Sequence, residues 1–181
     1  AQRFAVETEF RRAGLQPAPV RVQPPDTVIV PLHAGEDAVL AAMKSKTRYN
    51  VRLATRKGVT VSAATGAAAV AVLPQWYHLY QETARRDAIT IHPLSYYQRV
   101  IEHADAPDAP AITVYTAYHE DDLLGGIVVA SWRGVSTYLY GASSDVKRNV
   151  MAAYLLQWEA MRRAMADGDH SYDLFGIPPT D

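Results

Sequence analysis

The stretch from Thr137 to Ile177, TYLYGASSDVKRNVMAAYLLQWEAMRRAMADGDHSYDLFGI, constrains the fold of this chain more than any other. An aromatic strand over Thr137–Tyr140 runs to Gly141 and into a polar turn, Ala142–Asn149. A long amphipathic helix is expected from about Val150 to Asp167, stopped by Gly168, and then a short strand over Ser171–Leu174. Strand, turn, helix and strand in that order make a crossover unit, which needs a sheet to join. Such a unit sets a helix N-terminus beside a sheet edge, where backbone N–H groups are free to meet a ligand.

The chain before it supplies the sheet. Ala111–His119 alternates with a period of two, Glu120-Asp121-Asp122 is a turn, and Leu123–Trp132 is a second strand. Its Gly125-Gly126 pair marks a bulge or a close backbone approach. Arg133-Gly134 turns the chain into a third strand, Val135–Tyr140, which completes an antiparallel meander. Further upstream, Thr27–Leu32 reads as a strand placed at an edge by Pro31, and Val59–Ser62 as a short strand. Helices are expected over Glu36–Met43, Lys44–Gly58, Pro74 to about Arg86, and Pro93–Ala104. Pro74 falls in the first turn of its helix, and Trp76, Tyr77 and Tyr80 supply much of that helix's packing. Leu94, Tyr97, Val100 and Ile101 share one side of the next, and the alanine-rich Thr65–Val72 fits no single element.

This order defines an α/β protein of the α+β type. It resembles the acyl-coenzyme A N-acyltransferase-like (GNAT-like) fold, a central, mostly antiparallel sheet flanked by helices. Residues 1–25 read as the tail of a preceding domain, a helix closed by Gly14, and a proline-rich connector. Residues 26–181 read as the GNAT-like domain. The chain opens without Met and stops just after a strand, as expected of a piece of a longer protein truncated before the domain's C-terminal end.

Net charge is −1, so no global field recruits nucleic acid or membrane, and anion binding must be local. With no cysteine, disulfides and thiolate metal sites are excluded, which fits a cytoplasmic location. No apolar run approaches the roughly 18 residues of a membrane span. The local exception to the charge balance is Lys44–Gly58, KSKTRYNVRLATRKG, which holds no acidic residue. As a helix it sets Lys44, Arg48, Arg52 and Arg56 four residues apart on one stripe, with Lys46 nearby. Like charges at that spacing repel by a few tenths of a kcal/mol per pair, so the stripe calls for an anionic partner. Two readings stay open: a solvated face, and a phosphate-binding face for tRNA or another anion. Tyr49 and Leu53 lie on a neighbouring stripe and are expected to anchor the helix to the sheet.

The residues exclude several chemistries. The histidines are scattered, and no His/Asp/Glu set has metal-ligand spacing on one element. Asp121-Asp122 reads as turn chemistry, and Ser143-Ser144-Asp145 as turn and helix-capping chemistry. In the acyltransferase fold, the turn after the third meander strand carries an Arg/Gln-x-x-Gly-x-Gly/Ala loop that cradles the coenzyme A pyrophosphate. Here that turn reads Lys147-Arg148-Asn149-Val150-Met151-Ala152-Ala153. Neither glycine is present, and Val150 and Met151 are expected to crowd the backbone against a phosphate.

Several stretches together carry a closer resemblance. They are QPPDTVIVPL, MKSKTRYNVRLATRKGV, YHLYQETARRDAITIHPLSYYQRV, TYLYGASSDVKRNVMAAYLLQWEAMRRAMADG and YDLFGI, in that order and spacing. From about Gln23 to Ile177 the chain resembles the second domain of the FemABX family of peptidoglycan interpeptide-bridge aminoacyltransferases. The resemblance implies an aminoacyl-tRNA co-substrate, no separate cofactor, and as acceptor the stem-peptide amine of a nucleotide- or lipid-linked muropeptide. It implies work in the cytoplasm or at the inner face of the membrane. It also implies precursor contacts at His92 (an arginine in a well-studied branch), at Tyr96 four residues on, and at Tyr140 of YLYG. Asp173 of YDLFGI is expected either to orient a neighbour or the amine, or to sit buried on backbone hydrogen bonds. The family's oxyanion-stabilising lysine follows the YDxxGI strand and falls past Asp181, so no catalytic residue is assigned and residues 1–181 alone are expected to be inactive. The alternatives are an acyl-coenzyme A-dependent transferase of the same fold and a non-catalytic tRNA- or precursor-binding module.

Overall fold

The computed structural model describes residues 8–16, 24, 26–104, 106 and 108–176. The chain divides into two units, Val28–Phe175 and the flanking stretches Ala1–Thr27 with Gly176–Asp181. In the flanking unit, residues 8–12 are helical (α1). Gly14, at φ 77°, closes that helix as expected, with Leu15 N–H reaching Phe10 O at 3.0 Å. Most of the proline-rich connector lies outside the described residues.

The Val28–Phe175 unit is built on a six-stranded sheet of order β1-β6-β5-β4-β3-β2. The strands are β1 (Ile29–Pro31), β2 (Thr60–Thr65), β3 (Ala111–His119), β4 (Asp122–Trp132), β5 (Val135–Ser143) and β6 (Ser171–Asp173). All neighbours are antiparallel except β5 and β6, which are parallel as a crossover requires. Pro31 sits on an edge strand, where its missing N–H costs no ladder bond. The helices are α2 (Glu36–Ala42), α3 (Ser45–Arg56), α4 (Gly66–Asp87), α5 (Leu94–His103) and α6 (Ala152–Ala166).

The pleat divides the core. Tyr115, Ala117, Ile127 and Val129 face α2, α3 and α6, whereas Ile112, Val114 and Val128 face α4 and α5. Gly125 and Gly126 bring a helix close on each side. A Cβ at Gly125 would lie 3.3 Å from Leu156 of α6, and one at Gly126 would overlap the Trp76 ring of α4. The expected bulge is here too: the register shifts between Ala117 and Tyr118, so that Tyr118 faces Leu123 and Ala117 faces Gly125. At the β4–β5 turn, Arg133 and Gly134 have φ of 49° and 86°, the left-handed pair of a tight hairpin.

Two expectations are corrected. Helix α4 starts at Gly66, so Pro74 lies inside it and the alanine-rich stretch is its first two turns. The missing Pro74 N–H leaves the Val70 carbonyl without an intrahelical donor, but Ala69, Leu73 and Trp76, each 0 % exposed, bind that segment to the sheet. Helix α3 is not anchored by Tyr49, which is 56 % exposed; Val51 and Ala54 make its buried contacts. The helical frame is rotated from that expectation because the apolar face needs α6 as well as the sheet.

Tyr115 and Tyr172 are buried in the sheet core, and burial raises the pKa of both, Tyr115 to about 12. Below pH 10 both phenols are neutral folded and unfolded, and contribute no pH dependence. Above it the unfolded chain ionises while the folded chain does not, so stability falls by about 1.4 kcal/mol per pH unit per such residue. Urea denaturation at pH 9 and pH 11 reads this loss. An unchanged midpoint would mean that both rings ionise freely in the fold.

Candidate functional site

The site lies where α4, the link after it, α5 and β5 meet. Its base is Trp76, fully buried, against which Tyr80 and Tyr97 pack at 4.8 and 5.2 Å between ring centroids. Tyr97 stands edge-on to Tyr140 at 5.1 Å and to Tyr96 at 5.2 Å. Tyr96 and Tyr140 share a hydroxyl–hydroxyl hydrogen bond of 3.3 Å. His92 stacks on Tyr96 with centroids 4.1 Å apart. The His92 backbone is held on both sides: its N–H donates to Tyr97 Oη at 3.2 Å, and its carbonyl accepts from Tyr77 Oη at 3.0 Å.

The structure therefore brings together the three residues named from the sequence, His92, Tyr96 and Tyr140, although β5 and α5 are far apart in the chain. It adds Tyr97, which sequence reading placed only on a packing face. The Tyr96-Tyr97 doublet after His92-Pro93 was the available signal, since adjacent helix positions send one ring to the core and the other to its rim. Burial raises the pKa of Tyr97 and of Tyr140, and the Tyr96 hydrogen bond raises Tyr140 further. Both phenols are neutral at neutral pH and work as hydrogen-bond donors and acceptors rather than as bases. The cluster offers a stacked pair, exposed at His92 and half-buried at Tyr96, beside the half-buried Tyr140 hydroxyl.

The turn from β5 to α6 forms a second feature, lining a cavity of about 430 Å³ with Ser144, Lys147, Asn149, Met151 and Tyr154. Lys147 and Met151 hold left-handed backbone at φ 50° and 59°, a conformation that favours glycine. Met151 thus holds, just before α6, a backbone bend that a glycine would adopt at less cost. The N–H groups of Val150, Met151 and Tyr154 are bonded to Lys147 O, Arg148 O and Met151 O at 2.9, 3.2 and 3.1 Å. Lys147 pairs with Glu120 and, at 2.8 Å, with Asp122, and Arg148 with Asp145 at 3.4 Å. The Val150, Met151 and Tyr154 amides and the Lys147 ammonium are thus engaged internally rather than turned out as an anion cradle. One expectation is refined: Val150 is buried in the core and does not crowd the loop, while Met151 is half-buried. Ser144 Oγ accepts the Val146 N–H at 3.1 Å, as turn chemistry, but no side chain caps α6.

The basic stripe is less uniform than its spacing suggests. Arg48 donates to the carbonyls of Ala41 (3.0 Å) and Met43, closing the C-terminal end of α2. Arg56 lies over the Tyr49 ring at 5.8 Å. Lys44, Lys46 and Arg52 are exposed. Asp173 is half-buried and accepts the Phe175 N–H at 2.8 Å, a backbone bond that turns the chain after β6.

A family model described as an acetyltransferase (GNAT) domain matches residues 41–180, and the chain belongs to that family. Its similarities within that fold are to proteins of the FemABX kind. It is 28% identical over 158 residues to the UDP-N-acetylmuramoylpentapeptide-lysine N(6)-alanyltransferase of Weissella viridescens, covering 86% of this chain and 45% of the relative. It is 22% identical over 215 residues to the lipid II:glycine glycyltransferase of Staphylococcus saprophyticus subsp. saprophyticus, covering 86% of this chain and 51% of that protein. The chain thus spans about half the length of the curated relatives it matches. In fold it is similar to the crystal structure of FemX, with a TM-score of 0.79 at 18% identity over 97% of this chain and 61% of that one. Among the described residues, no helix is long and apolar enough to cross a membrane.

Proposed function

We propose that this domain belongs to an aminoacyltransferase that moves an amino acid from aminoacyl-tRNA to the stem-peptide amine of a peptidoglycan precursor. In that reaction the amine attacks the aminoacyl ester carbonyl. The new amide C–N bond forms as the ester C–O bond breaks, and the amine proton leaves as the tRNA ribose hydroxyl is restored. The ester is already activated, so the chemistry calls for positioning and oxyanion stabilisation rather than for a separate cofactor. His92, Tyr96 and Tyr140 hold the nucleotide- or lipid-linked precursor: the stacked pair offers a ring face, and the hydroxyls bond to sugar or phosphate oxygens. The work takes place in the cytoplasm, at or near the inner face of the membrane.

The observation that carries the proposal is the meeting of His92, Tyr96 and Tyr140 in one half-exposed cluster. Two relatives named for transferring alanine or glycine onto muropeptide acceptors give it its chemical sense. The turn before α6 speaks against the coenzyme A alternative. Titration of the full-length protein with UDP-N-acetylmuramoyl pentapeptide and with coenzyme A separates the two. Binding of the first and not of the second is expected, and sub-millimolar affinity for coenzyme A would overturn the reading.

Lys44, Lys46, Arg48, Arg52 and Arg56 are proposed as the anion-binding stripe for the tRNA backbone, with the exposed Lys44, Lys46 and Arg52 making the outer contacts. Lys44→Glu with Arg52→Glu is expected to weaken tRNA binding at least tenfold and to flatten its salt dependence. Both side chains are exposed, so folding should be unchanged. Equal affinity in the double variant would return the stripe to a solvated face. Arg48→Glu is a poorer probe, because it also removes the α2 closure.

A further inference from the structure

Helix α4 does more than carry aromatic rings. The face that holds Trp76 and Tyr80 holds Thr83 and Arg86 one and two turns further on. Both reach Ser143, the last residue of β5. Its N–H donates to Thr83 Oγ1 at 3.0 Å, and its carbonyl accepts from Arg86 Nη1 at 2.8 Å. Arg86 Nη2 lies 3.1 Å from Ser143 Oγ, and Nη1 lies 3.2 Å from Asp145 Oδ1. Asp87 braces the guanidinium with contacts of 2.8 and 3.1 Å.

Strand β5 needs this support. Strand β6 pairs with it over Val135–Thr137, so from Tyr138 onward one edge of β5 has no strand beside it among the described residues. Its register to β4 also shifts between Val128 and Val129, which makes Leu139 the extra residue. Tyr140 lies in this unsupported half, between the bulge and Ser143. The fork geometry of arginine suits such a latch; a lysine has the charge but not the fork.

We propose that Arg86 is a positioning residue that acts through Ser143 to set where Tyr140 sits against Tyr96 and Tyr97. The ligand-binding consequence rests on the function proposed above; the geometric one does not. In Arg86→Lys, the ring NMR signals of Tyr140 and Tyr96 are expected to shift, while those of Tyr115 and Tyr172, across the sheet, stay in place. Ser143→Ala, which removes only the Oγ contact, should move the same signals less and keeps the test decisive if the lysine variant folds poorly.

With the full-length protein, Arg86→Lys should weaken UDP-N-acetylmuramoyl pentapeptide binding about tenfold. In a Tyr140→Phe background the same change should cost no more than about twofold, because coupled residues do not add. Costs that multiply in the double variant would show that Arg86 only stabilises the fold, and unchanged Tyr140 signals would overturn the proposal directly. A wild-type protein that ignores the precursor would sink the acceptor assignment alone, leaving the ring signals to decide the role of Arg86.

Discussion

Trp76→Ala is expected to destabilise the Val28–Phe175 unit by about 3–5 kcal/mol, the range for deleting a large buried aromatic ring. Trp76 is fully buried, carries Tyr80 and Tyr97 on its ring, and fills the space left by Gly126. The gross loss is larger, because the indole Nε1–H is buried without a partner among the described residues and its removal relieves a desolvation cost. Trp76→Phe, which keeps a ring and removes that N–H, should therefore cost only about 1–2 kcal/mol. The reciprocal change is as informative. Gly126→Ala drives a methyl into the Trp76 ring and should cost about 1–3 kcal/mol in the wild type, and clearly less in Trp76→Ala, where the 3.2 Å approach to the Tyr115 carbonyl is what remains. Urea denaturation of the four proteins closes this cycle. Additive costs would mean that the ring and the glycine do not meet as described.

The second large effect concerns Tyr140. Tyr140→Ala removes a ring that touches Tyr97, Tyr80 and the Tyr96 hydroxyl, and is expected to weaken precursor binding about a hundredfold. Tyr140→Phe keeps the ring and loses one hydroxyl, so it should cost about tenfold. The ratio separates shape from hydrogen bonding. Equal losses in the two variants would assign the whole role to the hydroxyl. No loss in either would make Tyr140 a strand aromatic serving the core alone.

Much of this architecture was legible because period and punctuation agreed. The two-residue alternation from Ala111, the Arg133-Gly134 turn and the Gly168 stop fixed the meander and its crossover. Local rules failed where tertiary packing decided. Pro74 reads as a helix start, but the burial of Ala69 and Leu73 extends α4 past it. Tyr49 reads as an anchor, but α3 turns Val51 and Ala54 to the core instead.

The site was legible in part for a different reason. His92, Tyr96 and Tyr140 were named through a family resemblance, and the residues alone gave no cause to bring β5 to α5. Arg86 was hidden because its partner, the Ser143 backbone, has no sequence signature. The missing loop glycines were visible at once. The left-handed backbone at Met151 and the internal bonds of the Val150, Met151 and Tyr154 amides have no such signature in the residues.

Aminoacyl transfer itself can be assayed. The most direct measurement incubates the full-length protein with tRNA charged with labelled alanine, glycine or serine and with UDP-N-acetylmuramoyl pentapeptide or its lipid-linked form, then looks for label in the muropeptide. A labelled muropeptide carrying a new amide on the stem-peptide side chain is expected, formed from charged tRNA and not from acyl-coenzyme A. Label that stays on tRNA with every acceptor, or that is transferred only from acyl-coenzyme A, would contradict it.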